Sequence, residues 1–323
     1  MGNRLAGKVA IVTGSGQGIG RGIALGLARE GCKVITNNRK RGGAVNYRPE
    51  DMPAEEYKKM LAMRGDAEST AELIRSEGGE ASAFYGDVGD HETARRMVEF
   101  ALETYGPLDI LVNNAAGLGQ GTILTTTESE FDYMTVAKMK GAYNTMHFAA
   151  PVMIRQGFGR ILNCASGAWT GTPNLCAYSA GNAGVVGLSK AVAMELAPYN
   201  ITVNVYCPEA NSPGHVVEFN KMVRTMEDRL GSKMVMPEEK RKEVEANHGP
   251  AENLGPMLAY LCTEDAGWIS GVVFDVKASG KMSFYSDPLR VREIRKEGAV
   301  WTVEELAKAV PEQLLFDRIE AGK

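Results

Sequence analysis

Two rhythms of apolar and polar positions run through this chain. Short, nearly continuous apolar runs at 9–13, 33–36, 81–85, 110–113, 160–164, 201–207 and 271–276 read as strands buried on both faces. Between them, apolar residues recur at three- and four-residue spacing, most clearly over 20–30, 92–105 and 178–196, which read as helices. Strands that alternate with helices pair in parallel, because each return to the same sheet edge needs a crossover. Right-handed crossovers wind such units into a doubly wound sheet with helices on both faces. The expected fold class is therefore α/β, a doubly wound parallel sheet in a single domain over residues 1–280.

Two segments exceed this plan. Residues 40–66 carry Pro49 and Pro53, several charges and a helix-like patch at 54–63, and read as a surface insertion in the second crossover. Residues 281–323 form a C-terminal extension, in which Thr302-Val303-Glu304-Glu305 is a capping box that starts a helix through Ala309. That extension is expected to pack on its own body or on a neighbouring subunit.

Composition narrows the function classes. With 44% hydrophobic and 24% charged residues, the 323-residue chain has ordinary globular composition. A net charge of −4 offers no basic field to gather a nucleic-acid backbone, so no nucleic-acid partner is expected. No apolar run approaches the ~20 residues of a membrane span, and the first strand follows so soon after Met1 that no signal peptide is expected. The five cysteines, Cys32, Cys164, Cys176, Cys207 and Cys262, stand singly, which suits a reducing, cytoplasmic setting. His91, His147, His215 and His248 lack metal-ligand spacing, and no metal is expected.

The most informative stretch is Gly14-Ser15-Gly16-Gln17-Gly18-Ile19-Gly20, between the first strand and the first helix. Gly14 and Gly18 permit backbone angles and close approaches that a Cβ would obstruct, and Gly20 lets the helix lie close to the sheet. The helix N-terminus presents free amides and partial positive charge, which together suit a pyrophosphate. Ser15, Gln17 and Ile19 belong to the same candidate cofactor loop of a Rossmann-type domain. At the end of the second strand, Asn38 stands where an acidic residue would accept the ribose hydroxyls, and Arg39, Lys40 and Arg41 follow. A neutral residue beside three cations favours a 2′-phosphate, so NADP(H) is expected over NAD(H), although the same run would also serve as a solvated loop.

The Gly14-x-x-x-Gly18-x-Gly20 spacing resembles that of the short-chain dehydrogenase/reductase family. Four further stretches match in the family's order: Asp87-Val88, Asn113-Asn114-Ala115-Ala116-Gly117, Gly159-Arg160-Ile161-Leu162-Asn163 and Tyr178-Ser179-Ala180. The resemblance covers roughly residues 5–280. It implies that Asp87 and Val88 border the adenine, and that Asn114, Ala115 and Gly117 line the central part of the cofactor. It also implies that Pro208 lies at the nicotinamide end and that 209–250, with Met222, Met226, Met234 and Met236, forms a substrate lid.

Family members that interconvert ketones and secondary alcohols use a Tyr as acid/base, a Ser that holds the substrate oxygen, a Lys four residues after the Tyr, and an Asn on the preceding long helix. A free phenol has a pKa of about 10, and a neighbouring ammonium favours its ionised form. Here Tyr178 is followed at the fourth position by Asn182, while Lys138 takes the place of the usual Asn. Ser166 precedes Tyr178 by 12 positions (178 − 166), one fewer than is common in the family. Lys190 lies about 18 Å from Tyr178 along the helix at ~1.5 Å per residue, too far to replace the missing cation. Glu209 replaces the family's Gly after Pro208, and is expected to put a carboxylate near the nicotinamide end.

Two readings follow. In the first, Lys138 supplies the missing charge to Tyr178 while Asn182 contacts ribose, and the chain is an active oxidoreductase. In the second, the chain is an inactive or weakly active subunit that binds nucleotide beside an active paralogue. The extended second crossover and the Tyr178, Cys207-Pro208 and 271–276 stretches also look similar to hydroxyacyl-CoA dehydrogenase domains of multifunctional enzymes. That likeness implies a small-molecule substrate such as a hydroxyacyl-CoA or an alicyclic ketone, and the family resemblance implies a homotetramer or homodimer.

Overall fold

The computed structural model describes residues 2–43, 52–217, 220, 248–288, 292–296 and 300–315. Met222, Met226, Met234 and Met236 of the expected lid lie outside the described residues. The chain divides into two compact units, Met1–Tyr285 and Ser286–Lys323.

The first unit is built on one sheet of eight strands: β1 (Val9–Val12), β2 (Lys33–Asn38), β3 (Ala81–Tyr85), β4 (Ile110–Asn113), β5 (Gly159–Cys164), β6 (Ile201–Glu209), β7 (Val273–Lys277) and β8 (Met282–Phe284). Their order is β3-β2-β1-β4-β5-β6-β7-β8. The first seven strands are parallel, and β8 alone is antiparallel, to β7. The expected doubly wound parallel sheet is thus the fold. Its switch point lies where β1 pairs with β2 on one side and β4 on the other, the place where such sheets open a crevice at their carboxyl ends.

The described helices of this unit are α1 (Gly18–Arg29), α2 (Ala54–Ala62), α3 (Ala67–Ser76), α4 (His91–Tyr105), α5 (Glu128–Thr135), α6 (Gly141–Gln156), α7 (Cys176–Leu196) and α8 (Gly255–Leu261). The central strands are buried on both faces, and the core divides accordingly. One cluster packs α1 and α8 against β1, with Ile23, Leu27, Leu254 and Leu258, and the other packs α4 and α6 against the opposite face, with Met97, Ala149 and Leu111.

The insertion is not merely a surface excursion. Its helix α2 contributes Met60, which is fully buried, to a separate apolar cluster with Met52 and Val217, flanked by Tyr57 and Val216. It therefore packs onto the chain that leaves β6. After it, Asp66 caps α3 with a reciprocal box to Ser69.

In the second unit, Thr302 and Glu305 form the expected capping box at the start of α9 (Val303–Ala309). Lys296 holds both oxygens of Glu305 at 2.6 Å.

Candidate functional site

The turn after β1 is held from three sides before any ligand is considered. Gly14 has φ +62°, and a Cβ there would stand 2.9 Å from the Ala115 Cα, so the β4 loop lies directly against it. Thr13 Oγ1 accepts hydrogen bonds from the backbone N–H groups of Asn114 (2.9 Å) and Ala115 (3.0 Å). Asn114 donates to the Gly14 carbonyl at 3.2 Å and accepts from the buried Tyr206 hydroxyl at 3.3 Å. On the other flank, the Asn37 amide donates to Ser15 Oγ and the Ser15 amide donates to the Asn37 carbonyl, each at 2.9 Å. Arg21 donates to the carbonyls of Gly16 (2.9 Å) and Arg64 (3.2 Å), tying the loop to the end of the insertion.

These anchors frame a cleft of about 490 Å³ at the carboxyl ends of the strands. Gly14, Gln17, Gly18, Ile19 and Gly20 form its floor; Asn38, Arg39, Asp87 and Val88 line one end; Asn114 and Ala115 line the middle; Lys138, Ser166, Tyr178 and Pro208 line the other end. The Asn38 Oδ1 is buried without a hydrogen-bond partner, a cost that a ligand hydroxyl or amide would relieve. The Arg39 guanidinium stands 4.0 Å from the Asp87 carboxylate, and both are about half exposed, so the pair is weak and the cation stays available. A helix N-terminus above a glycine floor, an orphaned acceptor and a loosely held arginine suit a dinucleotide.

Three expected cofactor or catalytic contacts do not face this cleft. Ser15 is fully buried, with its hydroxyl engaged by Asn37. Gly117 packs against α5, where a Cβ would meet the Tyr133 carbonyl at 2.7 Å, and Tyr133 lines the cleft in its stead. Asn182 is also fully buried: it donates to the Tyr178 carbonyl at 2.7 Å, and its Oδ1 has no partner. Asn182 therefore lies outside the cleft lining, behind Tyr178.

Lys138 does turn inward. It sits in a π-helical turn, Val136–Lys140, between α5 and α6, and such turns re-aim a side chain that a continuous helix would carry elsewhere. The neighbouring α5 lies close to α7 at Gly181, where a Cβ would stand 3.1 Å from the Met134 carbonyl. The side chain is 4% exposed, and its ammonium lies 5.4 Å from the centre of the Tyr178 ring. Burial alone would lower its pKa, but Cys164, Tyr178 and Cys207 pull it upward and the net shift is upward. Ser166 caps the short turn Gly167–Thr170, its Oγ accepting from the Ala168 amide at 3.3 Å.

Glu209 does not line the cleft, although Pro208 before it does. It pairs in register with Lys277 across β6 and β7, and its carboxylate is held 2.7 Å from the Lys277 ammonium and 3.3 Å from His248 Nδ1. The rings of His215 and His248 stack with centroids 4.0 Å apart, and burial, reinforced by His248, lowers the His215 pKa to about 4. Lys190 donates to the Gly271 carbonyl at 3.2 Å, on another side of α7.

Thr13, Asn37, Arg21 and Tyr206 also hold the site, and no motif marks them as a group in the sequence. Asn37 alone had a visible signal, its adjacency to Asn38 at a strand end. Among the described residues no helix is long and apolar enough to cross a membrane.

Comparison with known proteins agrees with this geometry. The family model described as short chain dehydrogenase matches residues 8–73 and 50–223. The 3-oxoacyl-[acyl-carrier-protein] reductase FabG of Staphylococcus aureus is 33% identical over 271 residues, 83% of this chain and 96% of that protein. The peroxisomal multifunctional enzyme type 2 of Drosophila melanogaster is 29% identical over 324 residues, which cover 95% of this chain but 46% of that protein. The crystal structure of a short chain dehydrogenase from Mycobacterium avium superposes with a TM-score of 0.74 at 31% identity, covering 96% of this chain and 95% of that one.

Proposed function

Because this chain belongs to the short-chain dehydrogenase/reductase family of oxidoreductases, we propose that it interconverts a ketone and a secondary alcohol with NADP(H), and that Lys138 takes the part of the family's usual lysine. The observation that carries the proposal is the buried Lys138 ammonium, which faces Tyr178 from a helix other than α7. When bound, the nicotinamide dinucleotide supplies or takes the hydride. The Tyr178 hydroxyl exchanges a proton with the substrate oxygen, Ser166 holds that oxygen, and Lys138 fixes positive charge beside the phenol. Pro208 bounds the space at that end.

The relatives point to a β-ketoacyl or hydroxyacyl thioester as the substrate class, with an alicyclic ketone as the other candidate. The assembly proposed is a homo-oligomer, and the five free cysteines suit the reducing cytoplasm. A second reading, a nucleotide-binding subunit of low activity beside an active paralogue, is favoured by one observation: Asn182, at the usual lysine position, is turned wholly into the protein.

Titration with NADPH and NADH, followed by turnover of β-ketoacyl-CoAs and cyclic ketones, separates the two. Activity that Lys138→Ala reduces by about a hundredfold or more, the usual scale of general acid/base catalysis, supports the first reading. Activity unchanged in Lys138→Ala overturns it, and tight nucleotide binding without turnover of any substrate supports the second.

A further inference from the structure

Beside its glycine floor, the cleft is walled by the segment that leaves β6. Ser212, Pro213, Gly214 and Val217 all line the cleft, and residues 213–217 are helical. A Cβ added at Gly18 would stand 2.8 Å from Ser212 Cβ and 3.3 Å from Pro213 Cδ, so this wall lies directly against the start of α1. Ser212 ties the segment together locally: its carbonyl accepts from the Val216 amide at 3.2 Å and its Oγ from the His215 amide at 3.1 Å. Behind the wall stands the insertion. Val217 is buried with Met52 and Met60 of that insertion, and Val216 and Tyr57 pack against the same cluster. Met60, on α2, is fully buried and does not line the cleft, so whatever it does to a bound molecule passes through Val217.

We propose that Met60 is a positioning residue for the cofactor: by holding Val217 and the 212–217 wall against the cleft, the insertion sets how long a bound dinucleotide stays. The inference rests on the proposed binding of a nicotinamide dinucleotide in this cleft. A pyrophosphate at the start of α1 is flanked by Ser212 and Pro213, so its departure is eased when that wall swings away. Local opening of a segment becomes more frequent as the buried apolar contacts behind it are removed. Encounter with the α1 N-terminus and Arg39 does not depend on Met60, and the effect therefore falls mainly on release.

The test is stopped-flow displacement of prebound NADPH or NADH from the full-length wild-type chain, Met60→Ala and Met60→Leu, read by nucleotide fluorescence with association measured in parallel. Met97→Ala serves as comparator, because Met97 is equally buried but packs in the core that holds α4 and α6. Met60→Ala is expected to raise koff by about tenfold or more with a smaller change in kon, and Met60→Leu, which refills the space, to keep the wild-type rate. Met97→Ala should lower Tm and leave koff unchanged. Should Met60→Ala fail to fold, Tyr57→Ser at the edge of the same cluster carries the same expectation in milder form. An unchanged koff in the folded Met60 or Tyr57 variant, or an equal rise in Met97→Ala, overturns the proposal and leaves the dinucleotide reading standing. Failure of the wild type to bind either nucleotide removes both.

Discussion

At the scale of single residues, Lys138 and Asn182 end in different surroundings. Lys138 reaches the cleft end, while Asn182 donates to the carbonyl one helical turn before it and is sealed off. That Asn182 shares a helix face with Tyr178 is legible from their four-residue spacing. What occupies that face is decided by α5 and its π-turn packing onto α7, and three-dimensional packing leaves no mark in the local pattern.

Asn38 carries the residue-scale prediction. An Asp there keeps the side-chain shape but adds a charge that repels a 2′-phosphate and accepts ribose hydroxyls, so Asn38→Asp should weaken NADPH binding by about tenfold or more and strengthen NADH binding. Comparing the two dissociation constants in the variant and the wild type checks this. An unchanged NADPH to NADH ratio would place 2′ recognition elsewhere, with Arg39 the first alternative.

At the scale of elements, the parallel strands were legible because strands buried on both faces read as unbroken apolar runs, and the glycine turn was legible by its spacing. Boundaries moved by a few residues: α1 begins at Gly18 instead of Gly20, β6 continues to Glu209, and β7 begins at Val273 because Gly271, with φ +79°, belongs to the turn before it. Strand β8 had no such signature, since Met282, Ser283 and Phe284 are all exposed and the strand exists only by pairing with β7.

The helical turn at 213–217 yields a pH prediction. His215, on that turn, has its pKa lowered from 6.5 to about 4, by burial first and by His248 next, against the upward pull of Glu209. Between those values the unfolded chain binds a proton that the folded chain does not, so stability contributed here is intact above about pH 6.5 and declines as the pH falls towards 4. His215→Gln should therefore flatten the fall in Tm across that window. Parallel Tm curves for variant and wild type from pH 7 to pH 4 would count against the assignment.

At the scale of the whole molecule, the insertion and the chain leaving β6 meet in the small cluster of Met52, Met60 and Val217, away from the two main cores. Val217 lies far in sequence from Met52 and Met60, and both segments look like ordinary surface excursions, so no local pattern marks their contact. Met60→Ala should cost about 2–5 kcal/mol at that contact, the usual range for truncating a buried Met. The loss should be local, appearing as faster hydrogen exchange of the 213–217 amides, while amides of β1 and β4 keep their protection. Uniform acceleration across the sheet would mean that the cluster supports the global fold instead.

This contact changes how the chain tolerates shortening. Val217 serves two masters, facing the cleft on one side and the insertion's methionines on the other. Trimming the loop after β2 down to a minimal crossover would strip Val216 and Val217 of their apolar cover and leave an oily rim at the mouth of the nucleotide cleft. A shortened version would need polar replacements at both valines, so the excursion and the rim have to be redesigned together.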